Sequence, residues 1–311
     1  MPTNRPLLTR RSFIAFDVES TTGTPLTLDA TDATTKVINP TIEPNINMIE
    51  RDLAGYAAAD TSLLGAMGGR ATFEIPVVGK GSSGVPEWAT RLLPACGWKF
   101  TASTAAFDIT DETTLTITMW EDGFKRSLAG ARGTCSFVFT NGQATMARFE
   151  FTGKYLDEAD DTIIAPTLAT TVPPRWSNTS GLTLDSYALK ANTMTINLGS
   201  AVQLREDAND TVSGGNGGTG YCAAALTMAR PTFSLDPEMV LVATKDWYNS
   251  LVTQGTLALV ATVGTAANNI ITFTAGAAQI TSKGRADRNG IAVDNIEGVL
   301  TGSSPLSIAF S

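Results

Sequence analysis

Short segments in which apolar and polar residues alternate recur along the chain, separated by stretches rich in Gly, Pro, Thr and Asn. In the clearest, Phe73, Ile75 and Val77 share one face of an extended chain. A period of two is typical of half-buried β-strands, so the pattern predicts a mainly β protein. Strands are predicted at 13–18, 37–42, 72–78, 115–120, 133–140, 144–152, 188–198, 223–227, 256–263, 269–274 and 290–300, with a last strand or tail at 306–310.

Helical spacing of apolar residues occurs once in each half of the chain. In the first half, Trp88 and Leu92 follow a proline and precede a glycine, which are typical start and stop signals of a helix. In the second half, Trp247 and Leu251 lie within a helix predicted at about 245–253. A Trp at this spacing favours core packing over ligand stacking. We therefore expect these four residues to anchor two short helices to the core.

The two halves resemble each other in sequence. The segment from Arg70 to Phe73 (RATF) is matched by the segment from Arg230 to Phe233 (RPTF), shifted by 160, and Trp88 is matched by Trp247, shifted by 159. Weaker matches follow in the same order: Thr114–Ile117 with Thr256–Leu259, Phe139-Thr140 with Phe273-Thr274, and Thr152-Gly153 with Thr301-Gly302. A repeat of about 150 residues has the size of a whole domain, so a duplicated domain is predicted.

This repeat predicts the domain organisation of the chain. Residues 1–12 are expected to form an N-terminal arm, 13–164 the first domain and 181–311 the second domain. The intervening segment, 165–180, is rich in proline and threonine and is interpreted as a linker.

The segment 43–69 is predicted to be a long loop, because it shows no clear periodicity. Loops of this length inside a compact domain are mostly functional. It carries many apolar residues, which a monomer exposes only at a cost, so we expect another subunit to cover it. Packing on its own domain is the alternative. The predicted contact residues are Ile46, Met48, Ile49, Arg51, Leu53, Tyr56, Leu63 and Leu64.

Charge and composition exclude several functions. The net charge is −8 and the chain has no histidine, so a Ser-His-Asp triad and a histidine metal site are excluded. An acidic chain is also a poor binder of nucleic-acid phosphates. Acidic runs at 108–112 and 157–161 and the Gly-rich loop 213–220 are interpreted as solvated loops. We therefore expect no catalytic residue, no cofactor and no metal site.

Cys96, Cys135 and Cys222 are scattered and odd in number, which favours reduced, buried thiols. The apolar stretch after Arg10-Arg11 is too short for an export signal, and no apolar run reaches membrane-spanning length. We expect no membrane partner and synthesis as a soluble protein in a cytoplasm.

Several short motifs of the first half resemble the tail tube (major tail) proteins of long-tailed bacteriophages. These motifs are Gly23-x-Pro25, Ile49-Glu50-Arg51, Leu64-Gly65, Arg70-x-x-Phe73-Glu74, Glu87-Trp88 and Leu92-Leu93-x-Ala95-Cys96-Gly97-Trp98. With the second half counted, the resemblance covers much of the chain.

The resemblance implies two tandem tail-tube-like β-sandwich or barrel domains, each with one short flanking α-helix. It also implies rings stacked around a channel that conducts DNA without binding it specifically. Single-domain members form rings of six, so a doubled chain would form rings of three, and the loop at 43–69 would reach the adjacent ring. The implied partners are further copies of the chain, the tape measure, the tail terminator and the tail tip or baseplate, all within the virion.

Two other classes of function are compatible with a two-domain β protein. The first is a β-sandwich binding module on the virion or on a host surface, which should show clusters of exposed aromatic residues. The aromatic fraction is only 7%. The second is an enzyme, for which the sequence contains no supporting motif.

Overall fold

A computed structural model describes residues 7–311 except 53, 56, 57, 59, 111, 178–180 and 211–217. The fold is mainly β, with 53% of residues in strands and two short helices, as the alternation predicts. Neither of these helices is long and apolar enough to cross a membrane.

The elements fall into a first half, residues 12–160, and a second half, residues 183–310. The first half contains β1 (Ser12–Val18), β2 (Ile38–Ile49), β3 (Leu63–Pro76), α1 (Glu87–Ala95), β4 (Trp98–Thr101), β5 (Thr104–Phe107), β6 (Leu115–Glu121), β7 (Phe124–Thr140), β8 (Met146–Tyr155) and β9 (Ala159–Asp160). The second half contains β10 (Thr183–Leu184), β11 (Tyr187–Ala188), β12 (Ala191–Asn197), β13 (Ser200–Glu206), β14 (Tyr221–Ala229), β15 (Thr232–Pro237), α2 (Trp247–Val252), β16 (Thr256–Val263), β17 (Ile271–Arg288), β18 (Ile291–Leu300) and β19 (Ser307–Phe310).

Strand pairing follows the same order in both halves. In the first half the antiparallel order is β2-β3-β8-β7-β6-β1, with α1 inserted between β3 and β6. In the second half it is β12-β15-β18-β17-β16-β10, with α2 inserted between β15 and β16. Each of these six strands of the first half therefore takes the same place in the pairing order as one of the six in the second half.

The two halves share one sheet and one core. Strand β12 pairs with β7, and β19 pairs with β5 as well as with β17. Aromatic side chains from both halves also meet: the ring centroid of Phe273 lies 4.9 Å from that of Phe137 and 5.1 Å from that of Phe139. A single buried cluster extends through both halves. The division into two domains with a linker stays a prediction.

The helices lie on this core to different depths. Trp88 and Leu92 of α1 are buried, and the Trp88 Nε1–H donates to the carbonyl of Val78 at 2.8 Å. Trp247 of α2 is also buried, whereas Leu251 is half-buried at the edge of the cluster. Asp246 caps α2 by accepting from the Asn249 N–H.

The prediction of a loop at 43–69 is wrong over most of the segment. Strand β2 continues to Ile49 and pairs with β3 from Leu63 onwards, so the segment is a long β-hairpin. Prolines in β2 and glycines in β3 interrupt the alternation in the sequence. Proline is tolerated in β2 because, within the described part of the chain, this strand pairs with β3 on one side only.

Two further expectations need correction. The match between Phe139 and Phe273 does not reflect equivalent places, because Phe139 lies at the end of β7 and Phe273 near the start of β17. All three cysteines are free, as predicted, but Cys222 is half-buried rather than buried. Strands β4, β5, β9, β10 and β13 lie outside the predicted strands.

Candidate assembly surface

Eight strands form one continuous antiparallel layer that crosses both halves in the order β2-β3-β8-β7-β12-β15-β18-β17. One row of directly paired residues runs across all eight strands. It consists of Ile38, Glu74, Arg148, Ser136, Asn197, Thr232, Val299 and Gln279. Residues paired in this way point to the same face of a sheet, so the row defines one side of the layer.

That face is mostly polar, whereas the opposite face is apolar. Alternation along each strand sends Phe73, Phe149 and Phe137 into the core, where their exposed fraction is at most 2%. On the other face, Arg148 pairs with Glu74 at 2.8 Å and Arg70 pairs with Glu150 at 2.6 Å. The charges of both arginines are therefore balanced by neighbouring carboxylates. We call this surface the polar face.

Among the described residues, the layer ends on each side in an open strand edge. At one end, β2 pairs with β3 alone. At the other end, β17 pairs with β18 from Ala278 to Arg288, while β16 accompanies β17 only as far as Gln279. The edge of β17 beyond Gln279 is therefore open on the side that β16 leaves. Open strand edges are templates for pairing with another chain.

The first arm, defined as the hairpin segment 43–69 of β2 and β3, exposes a set of large apolar side chains. Its predicted contact residues have exposed fractions of 41% for Ile46, 54% for Met48, 45% for Ile49 and 57% for Leu63. Leu64 is half-buried, and Arg51 pairs with Asp60 at 3.1 Å near the tip. Leu53 and Tyr56 lie outside the described residues. The structure thus brings the described apolar residues together on one protruding hairpin.

The second arm, defined as the hairpin of β13 and β14 with its tip (residues 200–229), occupies the corresponding place in the second half. It lies across β7 and β8 of the first half and reaches β3. The Met67 N–H donates to the carbonyl of Thr219 at 2.8 Å. Lys154 Nζ lies 3.4 Å from Asp210 Oδ1, and both side chains are almost completely buried. Of the Gly-rich stretch 213–220 that was interpreted as a solvated loop, residues 213–217 lie outside the described residues.

Glu19 organises the surface on which the second arm rests. Its carboxylate accepts hydrogen bonds from the Gly23 and Gly130 N–H groups at 2.8 and 2.7 Å and from the hydroxyls of Thr114 and Thr116 at 2.6 and 2.8 Å. The second arm approaches β7 closely here, because a Cβ added to Gly130 of β7 would lie 2.9 Å from the Cα of Ala223. Glycine is therefore required where the second arm touches β7.

Described residues of the two acidic runs make local hydrogen bonds. Asp108 accepts from the N–H and hydroxyl of Thr110, which holds the pKa of its carboxyl below the usual range. Burial, together with the hydrogen bond to Glu158, raises the pKa of the Tyr155 hydroxyl. Asp111, the remaining acid of interest, lies outside the described residues.

Comparison with known proteins agrees with this arrangement. The family model described as phage tail tube protein matches residues 9–310, which is nearly the whole chain. A search of curated protein sequences finds no match.

Proposed function

The chain belongs to the phage tail tube protein family, and we propose that three copies of it close into a ring whose inner wall is made by the polar face. It is a structural protein of the virion tail and not an enzyme. Three copies of an eight-stranded layer contribute twenty-four strands to such a wall. Stacked rings would then form the tube.

A duplicated tube domain underlies this proposal. The repeated strand order, the place of each helix and the matched pairs Phe73 with Phe233 and Trp88 with Trp247 support it. A second local feature recurs as well. The register of β6 on β7 shifts between Leu115 and Ile117, and the register of β16 on β17 shifts between Leu257 and Leu259.

The pairing of β12 with β7 within one chain is the pattern from which we infer the pairing between copies. Strand β12 pairs with residues 136–140 of β7, the part of β7 that β6 leaves free. In the other half, β2 is the counterpart of β12 and β17 that of β7. The open edge of β2 in one copy therefore lies beside residues 280–288 of β17 in the next copy. Such a head-to-tail contact closes into a ring when the rotation per copy is right.

The edge of β2 is itself partly blunted. Pro40 and Pro44 have no N–H to donate, and Asn39 has a positive φ of 49° at a break in the register between β2 and β3. Proline and irregular geometry on an edge strand reduce indiscriminate pairing. A short, matched segment can then pair with one partner edge while unspecific aggregation is disfavoured.

The polar face suits a channel through which DNA passes without being held. On this face Arg70 and Arg148 are each paired with a glutamate, and the exposed Glu297 offsets the charge of Arg230. Affinity for phosphates needs cations that are free to release counterions, and the chain as a whole carries a net charge of −8. We therefore expect the polar face to repel DNA weakly and to make no specific contact with it.

The first arm provides the contact between copies. Its apolar residues Ile46, Met48, Ile49 and Leu63 gain from burial only in the assembled state. At the two ends of the tube, no further ring covers these surfaces. Proteins that terminate the tail, and the tape measure inside the channel, would meet the tube at these surfaces and at the polar face.

Assembly of the purified protein tests the proposal. Concentrated protein, alone or with tail proteins, is imaged by negative-stain electron microscopy. Hollow tubes with a regular axial repeat are the expected result. A chain that stays monomeric under all these conditions would contradict the proposed function and favour a binding module.

A further inference from the structure

The second arm shows how an arm of this fold is seated. It rests on the bulge of β7, where Ala223 packs against Gly130, and Leu204 packs against Gly68 of β3. Its tip then reaches β3, where the Met67 N–H binds the Thr219 carbonyl. The seat of an arm is therefore the bulge of the long strand together with the return strand of the other arm.

The equivalent seat on the second half is empty. The bulge of β17 falls at Gly276 and Ala277, because Leu257 pairs with Ala278 and Leu259 with Ala275. By this register Gly130 corresponds to Ala277, which is half-buried, and the neighbouring Gly276 is exposed, with no atom within 4 Å of an added Cβ. Among the described residues nothing covers the bulge of β17 at Gly276, whereas Ala223 covers the bulge of β7 at Gly130.

The return strand of the second arm is open at the matching place too. Thr227 precedes Arg230 by three residues, as Met67 precedes Arg70. Thr227 lies at a break in the pairing of β13 with β14 and is exposed. Its neighbour Met228 has an exposed fraction of 60%.

One arm is thus left without a seat, and one seat is left without an arm. We propose that the first arm of one copy crosses β17 and β18 of the next copy in the same ring and packs its apolar side chains against Met228. The occupant is a second copy of this chain. The inference rests on the proposed function and adds to it the partner surface of the first arm, whereas the family resemblance implies a reach towards the adjacent ring.

The distribution of charged and apolar residues supports an apolar contact between the first arm and the seat on the second half. The seat in the first half is locked by the buried pair of Lys154 and Asp210. The large apolar side chains that the first arm exposes are Ile46, Met48, Ile49 and Leu63, beside polar residues such as Asn45, Asn47 and Glu50, and Met228 on the second arm is an exposed apolar residue as well. An apolar seat can open and close without leaving a buried charge unpaired, which suits a contact made only during assembly.

Photo-cross-linking in assembled tubes tests the partner surface. Met48 and, separately, Leu63 are replaced by p-benzoylphenylalanine, and tubes are assembled from a mixture of light and isotopically heavy chains. We expect mixed cross-links between copies that map to residues 225–229 or 275–288. Cross-links to α1, to β4 or β5, or within one copy would overturn the inference, while the presence of tubes would leave the proposed function intact.

The variant Gly276→Arg separates contact within a ring from contact between rings. The isolated chain has room for this side chain, and the backbone of Gly276 lies outside the left-handed region. If the first arm contacts a copy in the same ring, sedimentation of the variant should show monomers. Thermal unfolding should then give an unchanged melting temperature. Accumulation of single rings that do not stack would overturn the inference and place the arm between rings. Leu241→Arg, at a residue that is 78% exposed and outside the seat, should assemble normally.

Discussion

Lys154 of β8 and Asp210 of the second arm form a buried ion pair that connects the two halves. Lys154 Nζ lies 3.4 Å from Asp210 Oδ1, and the exposed fractions of the two side chains are 2% and 4%. Asp210 also accepts from the N–H and hydroxyl of Thr219 at 2.8 and 2.6 Å. The pair therefore holds the tip of the second arm in place.

Removing one partner of this pair should be costly. In Lys154→Met the Asp210 carboxylate stays buried without its cation, so we expect a loss of about 3–5 kcal/mol in the free energy of unfolding, measured with urea. Arg148→Met is the matched control, because Arg148 and Glu74 form an exposed pair worth about 0–1 kcal/mol. Equal losses in the two variants would show that the second arm is not held by this pair.

The two helix tryptophans should differ in their tolerance of Phe. Trp88 Nε1–H donates to the Val78 carbonyl, whereas Trp247 Nε1 is buried and has no hydrogen-bond partner among the residues that the structure describes. Trp88→Phe removes a hydrogen bond, so its free energy of unfolding should fall by about 1–3 kcal/mol more than that of Trp247→Phe. Thermal and urea unfolding of both variants provide the comparison. A larger loss for Trp247→Phe would contradict this reading of the two sites.

Stability should depend on pH through Asp161. Hydrogen bonds from Trp120 Nε1–H and Lys125 hold the pKa of its carboxyl below the usual 3.8. Because the folded pKa is lower than the unfolded one, the stabilisation is present above the unfolded pKa and is lost as the pH falls through the folded pKa. The stability gap between the wild type and Asp161→Asn should thus be full at neutral pH and shrink below about pH 4. A gap that stays constant down to pH 3 would exclude this role.

Charges on the first arm should block assembly without affecting the fold. Met48 and Leu63 are more than half exposed in the isolated chain, so the double variant Met48→Asp/Leu63→Asp should keep its melting temperature and lose tube formation. Electron microscopy and sedimentation give the readout. Leu241→Asp changes an even more exposed apolar residue outside the arm and should still form tubes. Normal tubes from the double variant would show that the arm is not a contact.

Much of the fold could be predicted from local patterns. The period-two alternation in 256–263 and the helical spacing around Trp88 are strong because one face of each element is buried. The first arm was mistaken for a loop for a physical reason. It carries prolines on an edge strand and glycines where Leu204 and Leu128 pack closely, and both features hide the alternation.

The candidate assembly surface was only partly predictable. The apolar content of 43–69 indicated a contact segment, since exposed apolar residues need a partner. The joining of the halves through β7 and β12 and the buried pair of Lys154 with Asp210 depend on contacts between residues far apart in sequence. Neither leaves a local signature. The matched register shifts of β6 and β16 could have been suspected from the echo of Thr114–Ile117 in Thr256–Leu259.

A reconstruction of the assembled tube by electron cryomicroscopy would show how the copies form the wall of the channel. We expect threefold rings in which each copy contributes eight strands to the inner wall, with β2 of one copy beside residues 280–288 of the next and the polar face towards the channel. Rings of six chains, or a wall in which β2 and β17 lie apart on the outer surface, would contradict it.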